Sequence, residues 1–156
     1  MPTTVAVGDT APDFTLPDQA GIERRLSELL TDGPVVLFFY PAAMTPGCTK
    51  EACHFRDLAA EFAEAGAQRV GISRDGVAKQ AQFADTKSFG YPLLSDEDGA
   101  VAARYGVKRG LLGALLPVKR TTFVIAEDRT VLAVIASEVN MGAHADGALQ
   151  ALRAAR

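Results

Sequence analysis

The sequence has no tryptophan, only two cysteines and only two histidines in 156 residues. Two cysteines are too few for the disulfide framework of a small secreted domain. In a reducing compartment a close cysteine pair is more often catalytic, redox-active or metal-binding than structural. A long apolar run is also missing: the densest, Val35 to Tyr40, stops at Pro41 and is far too short to cross a bilayer. The opening Met1 to Asp9 carries neither a basic stretch nor an apolar one, so it does not read as a secretory signal, and the expected location is the cytoplasm. Positive charge is in deficit as well, with 16 Lys and Arg against 19 Asp and Glu and a net charge of −3. That balance argues against nucleic acid or an anionic membrane as a partner.

What is present is the composition of a folded globule. The chain is 48% hydrophobic and 22% charged, which excludes a disordered or fibrous protein. Its length predicts a single domain over residues 1–156, since domains run to roughly 100–200 residues and one of this size needs no staples. No internal repeat, linker or low-complexity tract interrupts it.

The first twenty-odd residues, with Gly8, Pro12, Pro17 and Gly21, predict an extended arm or short hairpin, and Leu26 to Leu30 a helical turn closed at Asp32-Gly33-Pro34. Val35 to Tyr40 is apolar at every position, as in a strand buried on both faces. Thr45 is a good N-cap and Pro46 suits the first helical position. The spacing of Ala52, Phe55, Leu58, Ala59, Phe62 and Ala63 predicts one amphipathic helix running to Gly66. A strand over Val70 to Ser73 follows, then a helix from Val77 to Phe89 ending at Gly90, an extended Tyr91 to Leu94, and a short helix from Ala100 to Tyr105. A hairpin of Thr121 to Ala126 and Val131 to Ser137 and a closing helix from about Ala145 to Ala155 complete an α/β sandwich with a mixed sheet. The Leu-rich piece Leu111 to Leu116 fits neither period; it reads as a loop or short helix packed on the core, or as an exposed apolar patch for a partner or second subunit.

Cys48 stands at the third position of the helix that Thr45 starts. Unpaired N–H groups and partial positive charge at a helix mouth favour thiolate over thiol. Capping geometry leads us to expect the Thr45 hydroxyl to reach that same third position. Cys53 lies five residues on, and on an ideal helix the two Cα atoms are then roughly 8.7 Å apart. A disulfide tolerates at most about 7 Å, so the pair is out of bonding range until the first turns unwind. Gly47 lowers the cost of that unwinding by about 1 kcal/mol. Such coupling suits a redox cycle better than a permanent staple, though two unrelated core thiols would show the same spacing. Metal binding is disfavoured: Cys53 and His54 are adjacent on one helix and point to different sides. His54 reads as a surface or half-buried residue and His144 as part of the loop entering the last helix. Neither has a legible partner that would orient it as a catalytic base.

The segment Phe39-Tyr40-Pro41-Ala42-Ala43-Met44-Thr45-Pro46-Gly47-Cys48-Thr49-Lys50-Glu51-Ala52-Cys53 resembles the active-site segment of the peroxiredoxins, in particular the peroxiredoxin Q or bacterioferritin comigratory protein subgroup. Pro41, Thr45 and Cys48 meet the family pattern of Pro, three residues, Thr, two residues, Cys, and Cys53 meets the second cysteine of the subgroup. Phe55-Arg56-Asp57, Gly71-Ile72-Ser73, Pro92 to Asp96, Tyr105-Gly106-Val107 and Arg120 to Ile125 extend the likeness over nearly the whole chain. Ala126 departs from an often acidic position. The resemblance implies a thioredoxin-like fold with an N-terminal β extension and a mixed central sheet flanked by helices. It implies thiol-dependent reduction of hydrogen peroxide and organic hydroperoxides with no metal or cofactor. It makes Cys48 the peroxidatic cysteine, Cys53 the resolving one and Arg120 the active-site arginine, with thioredoxin or a similar dithiol as reductant.

Peroxide reduction is displacement at oxygen by a thiolate, so Thr45, the amides of the helix start and Arg120 would supply donors toward the peroxide oxygens, and Pro41 would exclude water. An intramolecular cysteine pair needs no second chain, which favours a monomer, with a homodimer as the alternative. Two other readings compete. A protein disulfide reductase is weakened by the absence of Cys-x-x-Cys, and a redox-sensing or chaperone-like module would draw on the Leu111 to Leu116 stretch.

Overall fold

The computed structural model describes residues 4–109 and 117–155. The Leu111 to Leu116 stretch lies outside the described residues; its base is closed by Arg109 N–H donating to the Pro117 carbonyl (2.9 Å).

The arm forms a two-stranded antiparallel hairpin, β1 (Thr15–Pro17) with β2 (Glu23–Arg25), pairing Thr15 with Arg25. Asp18 holds its turn: the carboxylate accepts from the Ala20 and Ile22 amides at 2.8 and 3.0 Å and from Arg24 Nε at 2.8 Å. Helix α1 (Leu26–Leu29) and a 3-10 turn over Leu30–Asp32 lead into β3 (Val35–Phe39).

Five strands make the main sheet in the order β5-β4-β3-β6-β7, where β4 is Gln68–Ser73, β5 Leu93–Ser95, β6 Thr121–Ile125 and β7 Val131–Ala136. β3 runs parallel to β4 and antiparallel to β6, so the sheet is mixed. The central β3 explains its unbroken apolar sequence. Val35, Leu37 and Phe39 face a core with Val70, Ile72, Tyr105, Phe123 and Ile125. Val36, Phe38 and Tyr40 face the opposite core with Ala52, Phe55, Phe62, Phe83 and Ala148. Alternate residues point to opposite faces of a strand, so a sheet covered on both sides needs apolar residues at every position. Phe38 stacks on Phe55 with ring centroids 4.2 Å apart, tying the sheet to the cysteine-bearing helix. The architecture is the expected thioredoxin-like fold with its N-terminal β extension.

Several element boundaries differ from expectation. The helix expected to run from Pro46 to Gly66 is broken into α2 (Pro46–Asp57) and α3 (Ala59–Glu64), with Leu58 at φ −95°, ψ 22°. The Phe55 carbonyl, which would accept from Ala59 in a continuous helix, accepts instead from Arg69 Nη1 at 2.9 Å. A tertiary contact thus takes over a helical one, and the guanidinium of Arg69 also sits 5.0 Å above the Tyr91 ring. The next helix, α4 (Val77–Lys87), stops at Ser88, which adopts a left-handed conformation (φ 52°). That lets Phe89 turn back into the core beside Phe83. A short α5 (Ala100–Arg104) follows, and the last helix, α6 (Gly142–Ala154), begins before Ala145. This corrects the placing of His144 in a loop: it is a fully buried helical residue.

Candidate active site

Strand β3 delivers the chain to the site. Past Phe39, Tyr40 N–H still bonds the Ile72 carbonyl (3.0 Å), and the buried Tyr40 hydroxyl donates to Gln80 Oε1. Pro41 is buried. The Ala43 amide donates to Asp75 Oδ2 at 2.7 Å, which pins the turn to the end of β4. Met44 then takes φ 68°, a left-handed conformation uncommon for a residue with a Cβ. The chain reverses there and presents Thr45, Pro46 and Gly47 as the first residues of α2.

Thr45 occupies the N-cap position in extended conformation, and its carbonyl accepts the first helical bond from Thr49 N–H at 2.8 Å. Its hydroxyl does not reach Cys48. It donates backwards to the Ala42 carbonyl at 2.7 Å, closing the turn, and makes no side-chain cap. The expectation of a Thr45–Cys48 capping contact is therefore corrected. The amides at the mouth of α2 are left without a side-chain acceptor, and the lone pairs of the exposed Thr45 oxygen remain able to accept.

Cys48 is 1% exposed. Arg120, in the residue before β6, is brought over it by the antiparallel pairing of β6 with β3. Its Nη1 lies 3.4 Å from Cys48 Sγ and 2.8 Å from Glu51 Oε1. Burial works against the guanidinium charge, but the neighbouring Cys48 and Glu51 more than offset it, and Arg120 is held above its ordinary range. Gly47 lies against the Arg120 guanidinium and Met141. A Cβ there would come within 3.3 Å of Arg120 Nη2 and 3.4 Å of Met141 Cε, so the missing side chain makes room for the guanidinium.

Glu51 was not among the residues singled out from sequence, yet it is fully buried one turn below Cys48. Burial pushes its carboxyl up to about 7, against the pull of Arg120 and with a smaller push from Glu138. A signal for it existed. Cys48, Glu51, Ala52 and Phe55 are the buried positions of α2, so Glu51 is a charge set into the apolar face of an amphipathic helix. His144 lies beyond Glu51, with Nδ1 3.5 Å from Glu51 Oε2, 2.7 Å from Thr122 Oγ1, and Nε2 2.8 Å from the Ser137 carbonyl.

Cys53 is half-buried and unbonded on the same unbroken helix as Cys48. It opens on a surface cleft that also involves Lys50, His54, Asn140, Met141 and Asp146. His54 Nε2 meets Asp146 Oδ1 at 2.9 Å, bridging α2 to α6. Among the described residues no group of three or more His, Cys, Asp or Glu side chains is arranged to hold a metal ion, and no helix is long and apolar enough to cross a membrane.

A buried cysteine at a helix mouth beneath a carboxylate-tethered arginine is set within a chain whose residues 7–134 match the model of the AhpC/TSA family. The chain belongs to the AhpC/TSA family of peroxiredoxins. Among solved structures it is similar to the peroxidoxin BcpB of Mycobacterium tuberculosis, with 72% identity, a TM-score of 0.93, and coverage of 97% of this chain and 99% of that one. The bacterioferritin comigratory protein of Xanthomonas campestris, described for its alkyl peroxide reduction activity, matches at 31% identity and a TM-score of 0.85, over 97% of this chain and 99% of that one. A chloroplastic peroxiredoxin Q of Gentiana triflora is 40% identical over 97% of this chain and 68% of its own length. These relatives place the chain on the peroxiredoxin Q branch of the family.

Proposed function

We propose that this peroxiredoxin reduces hydrogen peroxide and organic hydroperoxides through Cys48, resolves the oxidised sulfur with Cys53, and is returned to its dithiol state by thioredoxin or a similar dithiol donor. The observation that carries the reading is Arg120 Nη1 within bonding distance of both Cys48 Sγ and Glu51 Oε1.

In the first step the Cys48 thiolate attacks the nearer peroxide oxygen and the O–O bond breaks. The sulfur becomes a sulfenic acid that keeps the peroxide proton, and the distal oxygen leaves as hydroxide or alkoxide and takes a proton from solvent to become water or an alcohol. The charge that develops along the O–O axis is met by donors already fixed in place: the Arg120 fork and the uncapped amides at the start of α2. Thr45, whose own proton is committed to Ala42, accepts from the peroxide O–H and so orients the incoming molecule. Buried Pro41 adds no competing N–H and helps keep water from the sulfur.

In the second step the first turns of α2 unwind. The Cys53 thiol displaces hydroxide from the sulfenic sulfur, which leaves as water once protonated, and a Cys48–Cys53 disulfide forms. An external dithiol then exchanges with that bridge. Alkyl hydroperoxide reduction by the Xanthomonas relative supports an organic substrate alongside hydrogen peroxide. The reading takes residues 1–156 as one catalytic unit that works as a monomer in a reducing cytoplasm.

Steady-state peroxide consumption with thioredoxin as donor tests it on Cys48→Ser and Cys53→Ser. Cys48→Ser is expected to be inert, and Cys53→Ser to complete one oxidation and then stall in the thioredoxin-coupled cycle. Undiminished turnover in Cys48→Ser would overturn the reading.

A further inference from the structure

Behind the arginine stands a pair of buried ionisable side chains that the reaction as written above does not use. Glu51 Oε1 is bonded to Arg120, but Glu51 Oε2 is buried without a hydrogen-bond partner among the described residues. The polar atom facing it is Nδ1 of His144, 3.5 Å away, with both side chains fully buried.

Hydrogen-bond chemistry assigns the ring. The Ser137 carbonyl can only accept, so Nε2 of His144 carries a proton. In the neutral ring Nδ1 is therefore an acceptor, satisfied by the Thr122 hydroxyl. A histidine placed only to fill the core would be complete at that point. The carboxylate oxygen directed at Nδ1 is not, because an orphaned buried carboxylate oxygen is costly and calls for a proton on itself or on its neighbour.

The geometry points to His144 as a positioning residue for the Cys48 reaction, sharing one proton with Glu51 so that the state of this pair sets how much of the Arg120 charge faces the sulfur. The inference rests on Cys48 being the reacting thiol. With the shared proton in place the Glu51–His144 pair is neutral and Arg120 is left to Cys48. Without it the pair is anionic and competes with the thiolate for the same guanidinium. Burial supports the sharing by raising the Glu51 carboxyl while lowering His144, and these opposite tendencies belong to the pair rather than to either residue.

The groups that bear on the pair come from every element around it. Arg120 precedes β6, and Thr122 lies on it. Glu138 lies beyond β7, where it also accepts from the Arg120 amide at 3.2 Å and from Arg109 at 2.8 Å. The buried Tyr91 phenol lies on the far side of α2 with its hydroxyl donating to the Ala52 carbonyl, and burial holds it protonated.

The test is the rate of Cys48 alkylation by iodoacetamide from pH 5 to 9, in a Cys53→Ser background so that one thiol reacts. Glu51→Gln fixes the pair neutral and is expected to move the profile midpoint toward acid. His144→Gln gives Glu51 an amide donor in place of a proton, fixes the pair anionic, and is expected to move the midpoint toward alkali. Each shift is about one unit, tenfold in rate below the midpoint. A purely structural histidine would lower thermal stability in His144→Gln and leave that midpoint unmoved, which would overturn the proposal. Should His144→Gln fail to fold, ring-nitrogen NMR of the Cys53→Ser protein with His144 intact decides, with the His54 signal assigned by His54→Gln. Coupling is reciprocal, so methylthiolation of Cys48 must move the His144 titration; an unmoved titration rejects the pair. Alkylation and NMR do not require turnover, so failure of the proposed peroxidase function, seen as peroxide consumption by Cys48→Ser, is distinguishable from failure of this inference.

Discussion

Cys48 and Cys53 share one unbroken helix, Pro46–Asp57, with Cys48 buried at its mouth and Cys53 half-buried on the cleft side. Five residues of ideal helix separate their Cα atoms by about 8.7 Å, beyond the roughly 7 Å limit for a disulfide. The reduced fold therefore holds the two thiols apart, and the backbone between them has to change before they can join.

Oxidation is thus expected to cost helix. One equivalent of hydrogen peroxide should remove both free thiols, link Cys48 to Cys53 in a peptide map, and raise hydrogen exchange at amides 49–53. Exchange beyond the break at Leu58 should stay slow, because Arg69 holds the Phe55 carbonyl and Tyr91 the Ala52 carbonyl. An oxidised protein in which α2 exchanges as slowly as before would contradict this mechanism.

The donors above the sulfur should dominate the chemical step. Arg120→Met is expected to lower kcat/KM for peroxide by about 10²–10³, the usual cost of deleting a preorganised donor. Thr45→Val should fall in the same direction, whereas Thr45→Ser, which keeps the hydroxyl bonded to Ala42, should retain most activity. Equal losses in the Val and Ser variants would remove the hydroxyl from the mechanism.

The contact between His54 Nε2 and Asp146 Oδ1 fastens α2 to α6 at 2.9 Å, with side chains 33% and 66% exposed. A pair this open contributes at most about 1 kcal/mol. Breaking it with Asp146→Ala should speed disulfide formation after sulfenic acid appears by up to about fivefold, converting that energy to a rate. Quench-labelling of the remaining thiols would show it, and an unchanged rate would mean that α2 opens without releasing α6.

Acid should weaken the N-terminal hairpin through Asp18. Burial alone would raise this carboxyl, but Arg24 and the Ala20 and Ile22 amides outweigh it and hold it below its ordinary value. A carboxylate depressed in the folded state contributes stability that is complete above its unfolded value, near 4, and is lost as pH falls through the lower folded value. Asp18→Asn should therefore lower stability at pH 7 and show less of a fall toward pH 3. Urea midpoints at the two pH values measure this; parallel curves for the two proteins would exclude Asp18 as the cause.

Much of the frame was legible in the chain because it is set by local rules. Val35 to Tyr40 reads as a doubly buried strand from its unbroken apolar run, and Thr45-Pro46 marks a helix start whatever packs around it. The break at Leu58 was not legible. It arises when Arg69, on another element, takes the carbonyl that the helix would have used. The direction of the Thr45 hydroxyl was missed for a related reason: a cap position offers two backbone partners, and the turn at Met44 brings the Ala42 carbonyl nearer.

The sequence by itself determined that Cys48 stands at a helix start, how far along the same helix Cys53 lies, and that this helix packs on a sheet covered on two sides. Those properties depend on residues close together in the chain. Only the tertiary structure decided what surrounds the sulfur, since Glu51, Arg120 and His144 come from three segments and Arg120 reaches Glu51 across 69 residues of sequence. Their meeting follows from the pairing of β3 with β6 and the packing of α6 beneath α2, and the burial produced by that packing raises the Glu51 carboxyl and lowers His144.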